Sequence, residues 1–467
     1  MNDVAIAAGA SRRGGLQVAL VGLGFSVVPL DTAVNIAFPD ITGSFGLPIA
    51  MIQWVVICYV LTHAGLMLAF GRVGDIWGHG RVYRAGLLWS IAAFLLCAAA
   101  PSFNWLLFFR FLQGIGAGLI ISCAPALVTG LYPEARRSRA LGIFTLMFAI
   151  GSASGPLIGG FLVSQFGWQS VFWFRAPIAL AALLFLRGLP TKGAGAANER
   201  FDIAGALLLA VGLTSLLLGI NRAPRLREGE VLALALLLAA AASLAAFIWW
   251  EARASRPIVR IDLFRQPGFA AINLASAAMY LTTFSVMLLT PYYLARFTTF
   301  PWVLAGAVLA TGFIAMAATS PLAGWLAARF PPQWLAACGA LTIGTGLFLV
   351  GSWDAGTPPL WMATVLAIHG FGLALFQVSY MEIVLASSPL ADRGVAGSLS
   401  MLTRTIGVVT AAALLTLIFH SIEAAAGEAG ASADGAFLAA YHGTFRLAGG
   451  AAALIAAAIA WSSRRRS

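Results

Sequence analysis

Residues 104–129 read NWLLFFRFLQGIGAGLIISCAPALVT, an apolar run that contains a single charged residue, Arg110. Because an α-helix rises about 1.5 Å per residue, such a run is long enough to cross a hydrocarbon core about 30 Å thick. Similar runs rich in Ala, Leu and Gly recur along the whole chain, unlike the short alternating strands of a membrane β-barrel. The sequence therefore predicts an all-α polytopic membrane protein.

The composition agrees with this fold class. Of the 467 residues, 60% are hydrophobic and only 10% are charged, whereas a soluble domain carries about 25% charged residues. The net charge of +11 comes almost entirely from Arg, with Lys192 the one Lys, and most of the Arg residues lie between the apolar runs. That distribution is typical of the cytoplasmic loops of a membrane protein, so nucleic acid is not an expected partner.

Periodic apolar runs predict about fourteen membrane-spanning helices. They are placed at residues 16–38, 50–70, 82–100, 104–129, 139–164, 170–187, 203–221, 231–250, 268–292, 302–327, 334–352, 358–385, 395–420 and 440–461. An even number puts both termini on one side of the membrane. About twenty basic residues then lie in the loops on that side, against four in the opposite loops. By the positive-inside rule we expect a protein of the cytoplasmic (inner) membrane with both termini in the cytoplasm.

Two longer connections, 188–202 and 251–267, divide this pattern. They flank the seventh and eighth predicted helices and so separate six helices, an inserted pair and six more. The corresponding domains are an N-terminal six-helix bundle (1–188), a linker with two inserted helices (189–267) and a C-terminal six-helix bundle (268–467). The one sizeable outer loop, 421–440, is rich in Ala and Gly and acidic, and we expect it to be flexible or weakly helical.

The segment 71–81, GRVGDIWGHGR, is predicted as the loop between the second and third helices. Gly71, Gly78 and the glycine between them permit a tight turn. Asp75 can accept hydrogen bonds from a neighbouring helix N-terminus or from Arg81. An ordinary polar turn is the alternative interpretation of this segment taken alone.

Arg110 lies in the middle of a predicted membrane helix and is followed by FLQGIGAG. A charged side chain inside a membrane is costly, so such a residue is by default a candidate functional residue.

The fifth predicted helix contains residues 151–160, GSASGPLIGG. Gly151, Gly155 and Gly159 recur every four residues and form one flat face suited to close helix packing. Pro156 removes a backbone hydrogen bond and favours a kink, and Gly160 ends the motif. A flat and bent helix suits an interface between two halves that rock, although a static packing motif is the alternative.

The first predicted helix ends with residues 30–39, LDTAVNIAFP. Asp31 is the one carboxylate predicted well inside the first six helices, and Asn35 follows one turn later. Burial disfavours an ionised carboxylate and a nearby cation favours it, so such a group can exchange a proton for a cationic substrate. A structural Asp near the outer interface is the alternative.

These four motifs together resemble those of the major facilitator superfamily. Segment 71–81 is similar to its G-x-L-x-D-r-x-G-r-r-r loop, Arg110 to the Arg of its R-x-x-x-G-x-G-x-G helix, and 151–160 to its antiporter pattern g-x-x-x-G-P-x-x-G-G. Residues 30–39 resemble L-D-x-T-x-V-N-V-A-L-P of the fourteen-helix drug:proton antiporter family. FDIAG (201–205), PLAGWLAAR (321–329) and RTIG (404–407) are further, weaker similarities.

The resemblance implies two six-helix bundles related by a pseudo-two-fold axis, with two inserted helices outside them. It implies proton-coupled export of small hydrophobic or cationic compounds by alternating access, with Asp31 and Arg110 in proton coupling. The proton gradient would supply the energy, with no cofactor and no metal, and the protein would act as a monomer in contact with lipid. An exporter or flippase of a lipid, siderophore or natural product, or a proton-coupled importer, is the alternative; a membrane-embedded enzyme is not expected.

Three further residues are candidates for lining a substrate cavity. Arg175, where the family usually has Asn, either faces the cavity and attracts anionic groups or extends to the outer interface. His369 is either a hydrogen-bonded neutral side chain between helices or part of a proton relay. Arg404 is either an inward-facing charge or a packing residue.

Overall fold

The computed structural model describes residues 19–130, 137–186, 202–222, 230–254, 267–327, 329–386 and 393–464. In these ranges the regular structure is helical and contains no strand, which confirms the all-α prediction. The α-helices, in chain order, are α1 (19–26), α2 (Ala33–Ile36), α3 (Phe38–Ser44), α4 (Gln53–Trp77), α5 (His79–Ala98), α6 (Phe103–Gly130), α7 (Arg137–Phe166), α8 (Ser170–Trp173), α9 (Arg175–Phe185), α10 (Ile203–Arg222), α11 (Val231–Glu251), α12 (Pro267–Phe297), α13 (Trp302–Ala327), α14 (Pro332–Val350), α15 (Pro359–Ala386), α16 (Arg393–Glu428) and α17 (Ala433–Arg464). Two 3-10 helices, Pro29–Thr32 and Ile49–Ile52, complete the set.

Twelve helical segments of the described residues are long and apolar enough to cross a membrane, so the chain is a multi-pass membrane protein. The sixth and seventh predicted helices are not among them. They correspond to shorter apolar stretches, Ser170–Phe185 and Leu207–Leu216. The predicted number of fourteen spans is therefore not confirmed.

The first predicted helix, 16–38, is not continuous. After α1 the chain forms the 3-10 helix Pro29–Thr32 and then the short helix α2. Pro29 has no N–H to continue an α-helical hydrogen-bond ladder. The backbone bonds of this stretch accordingly span three residues, from Val28 N to Phe25 O and from Asp31 N to Val28 O, each 3.0 Å long. Asp31 therefore lies on a 3-10 turn between two helices.

The predicted loop 71–81 is wrong. Helix α4 continues to Trp77 and α5 begins at His79, so Gly78 alone joins them. Gly78 has a φ of +92°, in the left-handed region that favours glycine, whereas Gly71 and Gly74 lie within α4. The side chain of Asp75 lies outside the described part of the structure, and Arg81 is exposed on α5. A tight turn between the two helices was predicted correctly, but Gly78 alone forms it, where three glycines had been expected.

The predicted outer loop 421–440 is also wrong in length. Helix α16 continues through its Ala-rich end to Glu428, and α17 begins at Ala433. Alanine has the highest intrinsic helix propensity, which explains why this polar stretch is helical. The connection is limited to residues 429–432 and contains Gly430, whose φ is +87°.

The chain divides into two compact units. Unit 1 comprises Met1–Ile41 and Cys58–Ile203, and unit 2 comprises Thr42–Ile57 and Ala204–Ser467, so the boundary passes through α4. The inserted pair, represented by α10 and α11, falls in unit 2. The predicted division at 188 and 267 into three parts stays a prediction.

Unit 1 is built around α5, which packs along α6 and α9. Its core includes Val21, Phe25, Leu87 and Ile120, all buried. The buried hydroxyl of Tyr83 donates to the carbonyl of Val21, 2.6 Å away, and so ties α5 to α1. Helix α7 packs against the 3-10 turn Pro29–Thr32 and against α2. The broken first helix is thereby enclosed by helices of its own unit.

Unit 2 contains the helices α10 to α17. Helix α15 packs along α13 and α14, while α12, α16 and α17 pack against one another. One end of the unit holds an aromatic cluster in which the Tyr293 and Tyr441 rings stack at 4.8 Å beside the fully buried Trp353. Apolar contact and ring stacking therefore supply much of the packing of this unit.

Candidate functional site

A buried ionic cluster in unit 1 centres on Asp31. Arg110 binds its carboxylate with both terminal nitrogens, Nη1 donating to Oδ1 at 2.7 Å and Nη2 to Oδ2 at 2.9 Å. Arg175 donates from Nη1 to Oδ1, also at 2.7 Å. Gln113 donates from Nε2 to Oδ1 at 3.0 Å and accepts from Arg110 Nη1 at 2.9 Å. One carboxylate is thus shared by two guanidinium groups and an amide.

The four members of the cluster come from three helical elements. Asp31 lies on the 3-10 turn forced by Pro29, Arg110 and Gln113 lie one turn apart on α6, and Arg175 is the first residue of α9. The break at Phe174 between α8 and α9 lets Arg175 Nε donate to the carbonyl of Val171, 3.2 Å away. Both helix breaks therefore serve to bring polar side chains to one point.

The cluster is almost closed to solvent. The side chains of Arg110 and Arg175 are 2% and 0% exposed, and that of Asp31 is 15% exposed. Asp31 is therefore the member most accessible from outside the protein.

Aromatic rings contact both guanidinium groups. The Arg110 guanidinium lies 4.3 Å from the ring centroid of Tyr59, and that of Arg175 lies 4.5 Å from the ring of Phe94. The ring of Phe172 is within 5.8 Å of both. Cation–π contacts of this kind stabilise a charge that burial has removed from water.

The charges of the cluster do not cancel. Two guanidinium groups and one carboxylate leave a formal charge of +1 in a nearly dry environment. Burial of ionic groups costs several kcal/mol per ion before pairing offsets it, so such a cluster is weak evidence for stability alone. Inside a membrane protein, charges of this kind are usually retained because they act on a substrate or ion.

Helix α7 holds the turn that carries Asp31. Side chains on its glycine face would collide with that turn, because a Cβ on Gly155 would lie 2.0 Å from Thr32 Oγ1 and one on Gly151 would lie 2.8 Å from Pro29 Cγ. The Thr32 hydroxyl donates to the carbonyl of Ser152 at 3.1 Å. Within unit 1, the glycine motif therefore packs against the segment that positions the carboxylate.

The remaining residues of this motif lie along the same helix. A Cβ on Gly159 would lie 3.0 Å from the backbone oxygen of Ala33. Helix α7 runs from Arg137 to Phe166 without interruption at Pro156, and Gly160 is buried. The predicted role of Gly151, Gly155 and Pro156 in rocking between two halves stays a prediction.

The structure brings together three of the predicted site residues, Asp31, Arg110 and Arg175. The Arg175 side chain is buried against the carboxylate of Asp31 and does not extend to an interface, while its predicted role in attracting anionic groups in a cavity stays a prediction. Asn35, partly buried on α2, lies one helical turn beyond Asp31.

The other two candidates are in unit 2. His369 on α15 is 5% exposed, and its Nε2 is buried without a hydrogen-bond partner among the described residues. The Arg404 guanidinium on α16 lies 5.2 Å from the ring of Tyr280. Their predicted roles in substrate binding stay predictions.

Sequence reasoning missed Gln113 and the rings of Tyr59, Phe94 and Phe172. Gln113 had a signal, because a residue three positions after Arg110 lies on the same helix face. The three rings had no such signal, since 31 Phe and 8 Tyr residues are spread along the chain.

Comparison with known proteins identifies the family. A family model described as Major Facilitator Superfamily matches residues 16–412. The chain belongs to the major facilitator superfamily. The family and the relatives below are transporters, so this superfamily member is a membrane transporter and not an enzyme.

Several characterised superfamily members are similar to it in sequence. Multidrug resistance protein Stp of Mycobacterium tuberculosis is 29% identical over 402 residues, which cover 86% of this chain and 75% of Stp. The tetracenomycin C resistance and export protein of Streptomyces glaucescens is 28% identical, with 86% and 75% covered. Riboflavin transporter RibZ of Clostridioides difficile is 28% identical, with 86% and 87% covered.

Solved structures support the superfamily fold. A crystal structure of the peptide transporter POT in complex with sulfate matches with a TM-score of 0.73 at 16% identity, covering 97% of this chain and 94% of the other. A bacterial homolog of the human lysosomal transporter Spinster matches with a TM-score of 0.68 at 17% identity, covering 96% and 95%. These matches confirm the predicted major facilitator fold, while membership of the fourteen-helix subfamily is not confirmed.

Proposed function

We propose that the chain exports small hydrophobic compounds across the cytoplasmic membrane in exchange for protons. The observation that carries this proposal is the buried cluster of Asp31, Arg110 and Arg175, because an ionisable carboxylate inside a membrane is a candidate proton carrier. The two cations favour its ionised form, so proton uptake is coupled to their rearrangement. Relatives named for multidrug resistance and for tetracenomycin C export favour export of such compounds. The proton gradient supplies the energy, no cofactor is needed, and the monomer is the working unit with both termini in the cytoplasm.

Protonation of Asp31 is the step that links the proton to movement. It removes the negative charge that two guanidinium groups share and weakens their charge-assisted hydrogen bonds. Two like charges 4 Å apart repel each other by about 4 kcal/mol at an effective dielectric constant of 20. One guanidinium must then move away from the other, and a protonation event becomes a change of side-chain arrangement.

Arg175 is the cation that we expect to move. Arg110 binds both carboxylate oxygens and also Gln113, whereas Arg175 contacts the carboxylate through one nitrogen. Arg175 also lies beside the one-residue junction at Phe174 between α8 and α9, although Phe174 itself keeps helical backbone angles. Protonation on the outer side would displace Arg175, and loss of the proton on the inner side would restore it.

The glycine face of α7 gives this change a route to the backbone. It contacts the 3-10 turn of Asp31 closely, so a shift of that turn is transmitted to α7. The superfamily transports by alternating access of two bundles, and we propose that this contact couples the charge change to that rocking. The predicted preference for cationic cargo has no support from the cluster, which already carries an excess positive charge.

Transport in proteoliposomes under an imposed pH gradient tests the proposal. A panel of fluorescent hydrophobic compounds first identifies a transported probe. Asp31→Asn is expected to reduce gradient-driven transport to the level of empty liposomes, since the carboxamide cannot be protonated. Exchange of labelled for unlabelled probe without a gradient serves as the control for folding and binding.

The double variant Asp31→Asn/Arg175→Gln guards against misfolding. It removes one of the two cations that lose their counter-charge in the single variant, because an uncompensated buried charge is strongly destabilising. If either variant folds and still couples probe movement to the pH gradient, Asp31 is not the proton carrier.

A further inference from the structure

We propose that the cargo carries a carboxylate or a comparable acidic oxygen, and that Nη2 of Arg175 binds this anion. The inference rests on the proposed function and names the chemical class of cargo that the site selects.

The first step is the charge of the cluster. With Asp31 ionised, two cations face one anion, and the excess charge lies in a region from which water is largely excluded. Electrostatic interactions are strong in such surroundings. A cationic compound placed beside the cluster would be repelled, whereas an anionic compound would complete its charge balance.

The second step is the free donor. Arg175 Nε donates to Val171 O and Nη1 to Asp31 Oδ1. Nη2 is buried and has no hydrogen-bond partner in the part of the chain that the structure describes. Buried donors are rarely left without a partner, and a charged one is especially costly in that state. The arrangement is complete when an acidic oxygen of a ligand accepts from Nη2, as guanidinium groups commonly bind carboxylates.

The third step is the lining. Phe94 and Phe172, both buried, contact the Arg175 guanidinium with their rings. Asp31 is the most accessible member of the cluster, at 15% exposure, so a ligand approaches past its carboxylate. Aromatic side chains beside a cation favour a ligand that combines a flat apolar body with one anionic group. An aromatic or polycyclic acid has this chemistry.

This cargo class places a requirement on coupling. Protonated Asp31 leaves two cations, which by themselves would attract an anion more strongly and favour movement of proton and anion together. Exchange therefore requires that protonation remove Arg175 Nη2 from the cargo, as the single contact of Arg175 with Asp31 allows. The pH dependence of cargo affinity distinguishes these two modes, because linkage between proton and ligand is reciprocal.

The test measures binding to the full chain in lipid nanodiscs. The ligands are three aromatic ring systems, each as its carboxylate, its primary amide and its aminomethyl cation, so that charge changes while shape is nearly constant. The wild type is expected to bind at least one carboxylate about tenfold or more tightly than the matched amide, and the cation most weakly. Arg175→Gln is expected to remove the advantage of the carboxylate, and Arg175→Lys to keep part of it because the charge remains.

Arg296→Gln is the matched control. It removes an arginine of unit 2 that pairs with Asp434, away from the Asp31 cluster, and should leave the order of affinities unchanged. The proposal is overturned if no ring system binds better as carboxylate than as amide, or if folded Arg175→Gln keeps the preference.

A second arm separates this inference from the proposed function. Carboxylate affinity of the wild type is compared at about pH 8 and about pH 6, where an ordinary carboxylic acid stays ionised. Lower affinity at the lower pH supports proton exchange. Unchanged affinity refutes Asp31 as the exchanging proton carrier while the preference for acids stands. Higher affinity there indicates co-transport, which would refute exchange while the preference for acids stands.

Discussion

Asp31 in unit 1 and Asn273 in unit 2 each lie at the centre of a buried polar cluster, but the two clusters differ in charge and completeness. Asn273 on α12 accepts at Oδ1 from Tyr380 (2.8 Å) and Thr403 (3.1 Å), and Nδ2 donates to Phe269 O (2.8 Å). That cluster is neutral, and the side chain of Asn273 forms hydrogen bonds with groups on three helices, α12, α15 and α16. The Asp31 cluster has an excess positive charge and leaves Nη2 of Arg175 without a hydrogen-bond partner among the residues that the structure describes.

The difference is the one expected between a structural polar site and the functional site that we propose. Hydrogen bonds between membrane helices can hold a bundle together with neutral groups alone, as around Asn273. Such a site gains nothing from an excess charge or from an unpaired donor. The Asp31 cluster has both, together with a short 3-10 turn in place of a regular helix, and these features suit a site that changes state.

The largest effect that sharpens this comparison is expected for Gly155→Ala. The new methyl group would lie 2.0 Å from Thr32 Oγ1 and 3.0 Å from Ala33 N, so the turn carrying Asp31 must shift. We expect a cost of about 1–3 kcal/mol from overpacking and a severe loss of gradient-driven transport. The apparent Tm in detergent and transport in proteoliposomes measure the two effects.

Gly324→Ala is the matched control in unit 2, because a Cβ there meets nothing within 4 Å. The same substitution should leave transport intact and raise stability slightly, since Ala favours helix over Gly. Equal behaviour of the two variants would mean that the glycine face of α7 does not position Asp31.

An intermediate effect is expected for Asn273→Ala. Two buried hydroxyls, of Tyr380 and Thr403, lose their shared acceptor, and stability should fall by about 1 kcal/mol. If the Asn273 cluster is structural, the ratio of protons to probe stays at the wild-type value even where the amount of folded protein falls. A changed ratio would remove the distinction between the two clusters. Simultaneous pH and probe measurements in proteoliposomes give this ratio.

The smallest effect is expected for Arg296→Gln. Arg296 donates to Asp434 at 2.7 Å, but both side chains are partly exposed, at 34% and 69%. Exposed ion pairs contribute little, so we expect a change of about 0.5 kcal/mol in stability and unchanged transport. If Arg296→Gln lowered stability and transport as much as Gly155→Ala, exposed charges of unit 2 would contribute as much as buried contacts of unit 1. Thermal unfolding in detergent measures the change in stability, and proteoliposome assays measure transport.

Much of the fold could be predicted from the sequence because the solvent dictates it. A membrane helix must satisfy all its backbone groups internally, so length and hydropathy suffice to place most spans. The predictions failed where local chemistry decided the outcome. Pro29 breaks the first helix, and the Ala-rich end of α16 extends a helix into what was predicted as a loop.

The site could be predicted only in part. Asp31 and Arg110 were singled out because each is a charge in an apolar run, and they do form a bidentate pair. The contact of Arg175 with Asp31 joins residues 144 positions apart. It depends on how distant helices of unit 1 pack together, and no single stretch of sequence contains that information. The two interpretations of Arg175 considered a substrate or an interface, and neither considered a carboxylate of the chain itself.

The single-residue junction at Gly78 has a practical consequence for labelling and protein engineering. Backbone hydrogen bonds continue across it, from Gly78 N to Gly74 O at 2.8 Å and from Arg81 N to Gly78 O at 3.0 Å. An epitope or fluorophore inserted there would have to unwind the ends of both α4 and α5. In the connection at 429–432 the N–H groups of Ala429, Gly430 and Ala431 still donate to the last carbonyls of α16, but all four residues are exposed. An insertion there would disturb only the end of one helix, so it is the better place to attach a reporter.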